Sequence, residues 1–141
     1  MVQKMYKQDK MEFEEVEDIF PTSAQNLFAR GEAVFIDVRT PEEQIVSMLP
    51  GAVTEKELAD NPSILQDKTA VAYCTIGYRS GHYAADMSRE GIRVLNIPGG
   101  ILAWVFSGGK VYHAGEETNR VHVYGDEWNY LPDGYESVMF E

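Results

Sequence analysis

The chain has one cysteine in 141 residues, Cys74, and it stands in the stretch Ala72-Tyr73-Cys74-Thr75-Ile76-Gly77-Tyr78-Arg79-Ser80. A single thiol forms no internal disulfide and no Cys-based zinc site, so the chemistry open to it is that of a nucleophile. It closes an apolar run, residues 69–74, and a short loop containing Gly77 then leads to helix-forming residues from about Ser80. In open α/β sheets, ligand chemistry gathers at the carboxyl ends of strands, which is where this spacing puts the sulfur. Backbone N–H groups of Thr75, Ile76, Gly77, Tyr78, Arg79 and Ser80 can converge on it at the start of the following helix. A free thiol titrates near about 8.5, and a helix N-terminus or a cation lowers that value. A drop of roughly two units would make most of it thiolate at neutral pH. The same cradle suits a terminal persulfide anion or the charge on a departing oxyanion.

Cys74 is therefore the expected catalytic residue. Thr75, Ile76, Gly77, Tyr78, Arg79 and Ser80 are the expected substrate-binding residues. The competing reading is a small buried hydrophobe, common for free cysteine, and the strand-end placement speaks against it. Arg79 is read as an anion-binding fork, since it follows the thiol in the same tight loop. His82 suggests a Cys/His hydrolase, but such pairs draw their histidine from far along the chain, so it is expected to face solvent. His113 and His122 lack a supporting ligand pattern, and no metal or cofactor is expected. The glycine pair before Ile101 lacks the Gly-Lys-Ser/Thr spacing of a phosphate loop.

The elements that must hold this loop are legible as an alternation. Residues 21–31 predict a short helix capped by Thr22 or Ser23 and stopped by Gly31, followed by a buried strand over 33–37. Thr40, Pro41 and Glu43 open a second helix with a capping box, and Thr54 with Glu57 open a third. The 69–74 run is continuous rather than alternating, as expected of a strand covered on both faces. A helix ending at Gly91, a strand over 93–97 and a brief helix between two glycine pairs complete the order. This pattern predicts an α/β fold, a central parallel sheet flanked by short helices on both faces with right-handed crossovers. The chain divides into a loose lead-in (1–19), a domain (20–106) and a C-terminal extension (107–141). The extension shows no clear period and is expected to wrap on the domain, so that Trp128, Tyr130, Tyr135 and Phe140 find cover.

Composition narrows the partners. The net charge is −11, with residues 68–98 carrying +2 and the remainder −13. Nucleic acid and anionic membranes would be repelled by the whole molecule, while a small anion suits the local basic stretch. No run is long enough to span a bilayer, and the absence of a secretory apolar region predicts a cytoplasmic protein with a reduced thiol.

Four stretches in order carry a resemblance. "FIDVRTPEEQ" (35–44), "LPGAV" (49–53), "CTIGYRS" (74–80) and "IPGGILAW" (97–104) resemble the Asp-x-Arg strand end, the Pro-Gly-Ala turn, the active loop and the closing Gly-Gly segment of single-domain rhodanese-like sulfurtransferases. The resemblance covers about residues 20–106. It implies that Cys74 becomes a persulfide, that loop amides hold the transferred sulfur, and that Asp37 and Arg39 tie loops together. The implied partners are thiosulfate or a related donor, a thiol or cyanide acceptor, and a protein as a candidate sulfur acceptor. Two departures stand out: Met48 and Leu49 replace a frequent histidine, and Thr75 replaces a frequent arginine after the cysteine. Two rivals remain. A phosphatase or arsenate reductase would need five residues between Cys and Arg, where this chain has four. A non-enzymatic module would carry or sense sulfur and dock a partner through its acidic tail.

Overall fold

The computed structural model describes residues 16–123 and 131–138. Helix α1 (Pro21–Ala29) leads into β1 (Ala33–Asp37), then α2 (Pro41–Val46), β2 (Val53–Thr54) and α3 (Glu55–Asp60). A 3-10 turn (Pro62–Leu65) precedes β3 (Thr69–Tyr73), α4 (Tyr78–Arg89), β4 (Val94–Asn96) and α5 (Gly100–Phe106). Four parallel strands form one sheet in the order β2-β1-β3-β4, with Asp37 beside Tyr73 and Ala72 beside Asn96. This places the carboxyl ends of β1, β3 and β4 along one edge, where Cys74 follows β3.

Both sheet faces are covered, as the continuous apolar runs predict. Phe35, Val71, Tyr73 and Leu95 point to one face, in a cluster with Ala24 of α1 and Ile101, Leu102, Trp104 and Val105 of α5. Their strand neighbours Ile36, Ala70, Ala72 and Val94 point to the other, with Leu58 of α3 and Ala84 and Ala85 of α4. Successive residues of a strand face opposite sides, so each strand needs apolar side chains at every position.

Both predicted capping boxes form, at Thr40–Glu43 and Thr54–Glu57. Four boundaries differ from expectation, the first being β3, which ends at Tyr73 rather than Cys74. Helix α1 begins at Pro21 with Phe20 as its cap and no side-chain cap bond; a proline at the first helical position starts the helix before Thr22 or Ser23 is reached. Helix α4 begins at Tyr78 rather than Ser80, because Gly77 takes φ of 104° and turns the chain directly into it. The last strand of the sheet is Val94–Asn96, shorter than 93–97.

Residues 16–19, expected to be loose, cover the open edge of β4. The Asn96 N–H donates to Glu17 O and the Ile19 N–H to Asn96 O, both at 2.9 Å. An edge strand leaves unpaired backbone groups, and this segment pairs them. Glu17 also receives Arg93 bidentately at 2.8 Å. The extension likewise contains strands that its composition hid. β5 (Val111–His113) and β6 (Glu116–Thr118) make a hairpin through Ala114 and Gly115. β7 (Arg120–His122) pairs in parallel with β8 (Glu136–Val138). Val111, Val121 and Val123 join the cluster around Phe35, and Tyr135 packs against it. Trp128, Tyr130 and Phe140 lie outside the described residues.

The turn into α5 is built around Gly100, at φ of 58°, where an added Cβ would collide with the carbonyl oxygens of Cys74 and Thr75. Gly100→Ala is expected to destabilise the protein by about 3 kcal/mol, from forced overpacking and left-handed backbone strain. Thermal melting checks this; a melting temperature within error of the unmodified protein would contradict it.

Candidate active site

Cys74 directly follows β3, at the mouth of α4. Its Sγ accepts the Gly77 N–H at 3.0 Å and lies 3.4 Å from Ser80 Oγ. The sulfur thus meets one main-chain donor and one hydroxyl at the start of a 12-residue helix, where partial positive charge accumulates. The residue is 1% exposed, with Ala72 and Ala84 in the same cluster. The thiol is therefore covered, as in the competing reading of a small buried residue, and the turn at Gly77 brings the loop back onto the sulfur.

Behind the loop, α5 supplies the complement. The Ile101 N–H donates to Cys74 O at 2.8 Å and the Leu102 N–H to Thr75 O at 3.4 Å. The glycine pair that fails as a phosphate loop thus lets a helix N-terminus grip the carbonyls of the cysteine loop.

The side chains of Thr75 and Arg79 turn to Glu43. The Arg79 guanidinium donates to both carboxylate oxygens, at 2.9 and 3.1 Å. Thr75 Oγ1 donates to Glu43 Oε2 at 2.8 Å and accepts from Arg79 at 3.1 Å. On its other side Glu43 accepts the Thr40 N–H at 3.2 Å, completing its capping box. Glu43 is wholly buried, whereas 38% of the Arg79 side chain is exposed. Sequence reasoning found Glu43 only as a capping residue. Its spacing of 36 from Arg79 carries no local signal.

Ser80 and Asn96 form a second buried group. Ser80 Oγ lies 2.5 Å from Asn96 Oδ1, and Asn96 Nδ2 donates to Gly77 O at 3.2 Å. Ile76 on the loop and Tyr78 at the start of α4 are half-buried, and Tyr78 stacks edge-on with half-buried His82 at 4.6 Å. Asp37 and Arg39 tie loops, as the resemblance implies. Arg39 donates to both Asp37 oxygens and to Ser47 O, and the Tyr73 hydroxyl donates to Asp37 and accepts the Leu49 N–H. Burial and the neighbouring Asp37 charge push the Tyr73 phenol well above its ordinary range. Burial opposes the Arg39 charge, but Tyr73 and Asp37 outweigh it and raise its value.

His122, on β7, brings the extension to the same centre, with Nδ1 at 4.0 Å from Glu43 Oε2. No cluster of three or more metal-ligating side chains occurs among the described residues. No described helix is long and apolar enough to cross a membrane.

Residues 20–107 match the family model of the rhodanese-like domain. The chain belongs to this family. A sulfurtransferase of Allochromatium vinosum is 33% identical over 92 residues, covering 60% of this chain and 83% of that protein. A rhodanese-related crystal structure from Thermoplasma volcanium superposes with a TM-score of 0.59 at 25% identity, over 68% of this chain and 97% of its own. A thiosulfate sulfurtransferase of Pseudomonas aeruginosa superposes at 0.61 over 92% of this chain and 26% of its own; at 19% identity it shows the shared fold alone. The rhodanese-like resemblance read from the four stretches and the parallel-sheet architecture both stand.

Burial holds the His122 imidazole below its ordinary titration range; Arg39 and Arg79 act in the same direction, while Glu43 and Glu42 oppose them. A histidine that protonates less readily folded than unfolded contributes stability above its unfolded value, about 6.5, and loses it as pH falls through that region. His122→Gln is therefore expected to lose less melting temperature than the unmodified protein between about pH 7.5 and about pH 5. Equal losses in the two proteins would contradict this role for His122.

Proposed function

We propose that this protein transfers sulfane sulfur through a persulfide on Cys74. The observation that carries the reading is the seat of the sulfur. It lies at the carboxyl end of a central strand and accepts the Gly77 N–H at the N-terminus of α4. The family membership and the relative named a sulfurtransferase support it.

In the first step the Cys74 thiolate attacks the outer sulfur of thiosulfate or a related donor. A new S–S bond forms, the donor's S–S bond breaks, and sulfite leaves with the electron pair. In the second step a thiol or cyanide attacks the outer persulfide sulfur, and Cys74 is regenerated as thiolate. The Gly77 N–H and the Ser80 hydroxyl favour the anionic sulfur at both stages. Thr75, Ile76, Tyr78 and Arg79 take part through the path of the loop backbone, because the Thr75 and Arg79 side chains are directed to Glu43. The resident charge of Arg79 is compensated there, which argues against the phosphatase rival, whose arginine must face the substrate oxyanion. Donor approach requires the loop to part, since Cys74 is buried.

That burial, with the compensated cation, favours a second reading: a persulfide carrier that loads and unloads with little turnover, handing sulfur to a protein acceptor. A cytoplasmic setting suits either role, because both need the thiol reduced.

Intact-mass analysis after thiosulfate treatment tests the proposal. One added sulfur atom is expected, removed by cyanide and absent in Cys74→Ser. No added sulfur from thiosulfate or from an organic persulfide would overturn it. Slow thiocyanate release from a fully loaded protein would favour the carrier.

A further inference from the structure

One hydroxyl proton is contested beside the sulfur. Ser80 Oγ has three acceptors in reach: Asn96 Oδ1 at 2.5 Å, Gly77 O at 3.3 Å and Cys74 Sγ at 3.4 Å. A serine hydroxyl donates once and can accept twice. The orientation of Asn96 decides the competition. Gly77 O can only accept, so the amide must turn Nδ2 toward it, at 3.2 Å, and this leaves Oδ1 facing Ser80. Gly77 O also receives the Gly81 N–H at 3.1 Å, so the amide meets a carbonyl already fixed by the first turn of α4. The backbone of Asn96 is clamped in turn, through the bonds it exchanges with Glu17 and Ile19. Ser80 and Asn96 are both fully buried, so water does not offer an alternative partner.

We propose that Asn96 is a positioning residue that sets the ionisation of Cys74 by competing with the sulfur for the Ser80 proton. In the thiol form the chain of bonds runs one way: Cys74 S–H donates to Ser80 Oγ, and Ser80 O–H donates to Asn96 Oδ1. When the thiol proton leaves to solvent, the Ser80 O–H turns from Asn96 to the sulfur, and Asn96 Oδ1 gives up its donor. Asn96 thus favours the resting thiol, and the Gly77 N–H with the turned Ser80 favours the thiolate. The other charged and titratable groups around the loop include Glu43 of α2 with Arg79, Asp37 of β1 with Arg39 and Tyr73 of β3, Tyr78 and His82 of α4, His122 of β7, and Glu17 with Arg93 beside β4. The bonds of the Asn96 side chain to Ser80 and to Gly77 O involve none of them.

The inference rests on the sulfur-transfer reading only for its purpose, since it concerns the thiol before any donor arrives. The experiment measures iodoacetamide alkylation of the single cysteine across pH. Asn96→Leu is expected to raise the rate at pH 7 by about fivefold, the scale of one neutral hydrogen bond, with the profile displaced to lower pH. Ser80→Ala is expected to slow the reaction, and adding Asn96→Leu to it to change nothing further, because the contested proton is gone. A rate that is unchanged or lower in Asn96→Leu, or the same gain without Ser80, would overturn the assignment. Should Asn96→Leu not fold, the infrared S–H band of the unmodified protein decides. A band lowered by donation to oxygen and restored in Ser80→Ala supports the proposal, and a band at the free-thiol position in both refutes it. These readings need no sulfur donor. A protein that meets them yet gains no mass from a donor would refute sulfur transfer alone.

Discussion

A buried carboxylate holds the cysteine loop in place. Glu43 has no exposed surface, so its charge is tolerable only if every oxygen is met by donors, and those donors come from two separate segments of the chain. Thr40 on its own helix supplies one set, and Thr75 and Arg79 supply the other. The residues on either side of the Cys74 turn are thereby pinned to α2. His122 stands against the same carboxylate, so the C-terminal extension shares the constraint that shapes the site.

The loop is held from below as well. Helix α5 donates N–H groups to the carbonyls of Cys74 and Thr75, while Gly77 and α4 direct donors at the sulfur from above. One peptide run thus sits between two helix N-termini, its carbonyls facing one and its thiol the other. This division explains why both helices begin with a glycine cap in the left-handed region, at Gly77 and Gly99. It also explains the departure at Thr75. A short hydroxyl fits between Glu43 and Arg79, and the buried carboxylate consumes the nearby positive charge.

Much of this was legible in the sequence. The continuous apolar runs, the two capping boxes and the stop glycines fixed the order of elements, because each is a local pattern with a local cause. The place of Cys74, after a strand end and before a helix, was legible by the same means. The burial of that thiol was not legible, since it depends on how Gly77 bends the loop. The partners of Arg79 and Ser80 were hidden for a related reason: Glu43 and Asn96 lie far away in sequence and meet them only after the sheet assembles. Residues 16–19 and the strands of the extension were missed because their pairing is too short to leave a period, and the acidic and aromatic composition around them resembles a loop.

In the proposed transfer Arg79 is a strut on Glu43, and anion recognition falls to the loop backbone. The most direct test is a crystal structure of the protein loaded with sulfur from thiosulfate. The predicted result is a second sulfur bonded to Cys74 Sγ at the N-terminus of α4, with Arg79 still bidentate on Glu43. An Arg79 swung away from Glu43 onto the donor or its sulfite product would contradict it.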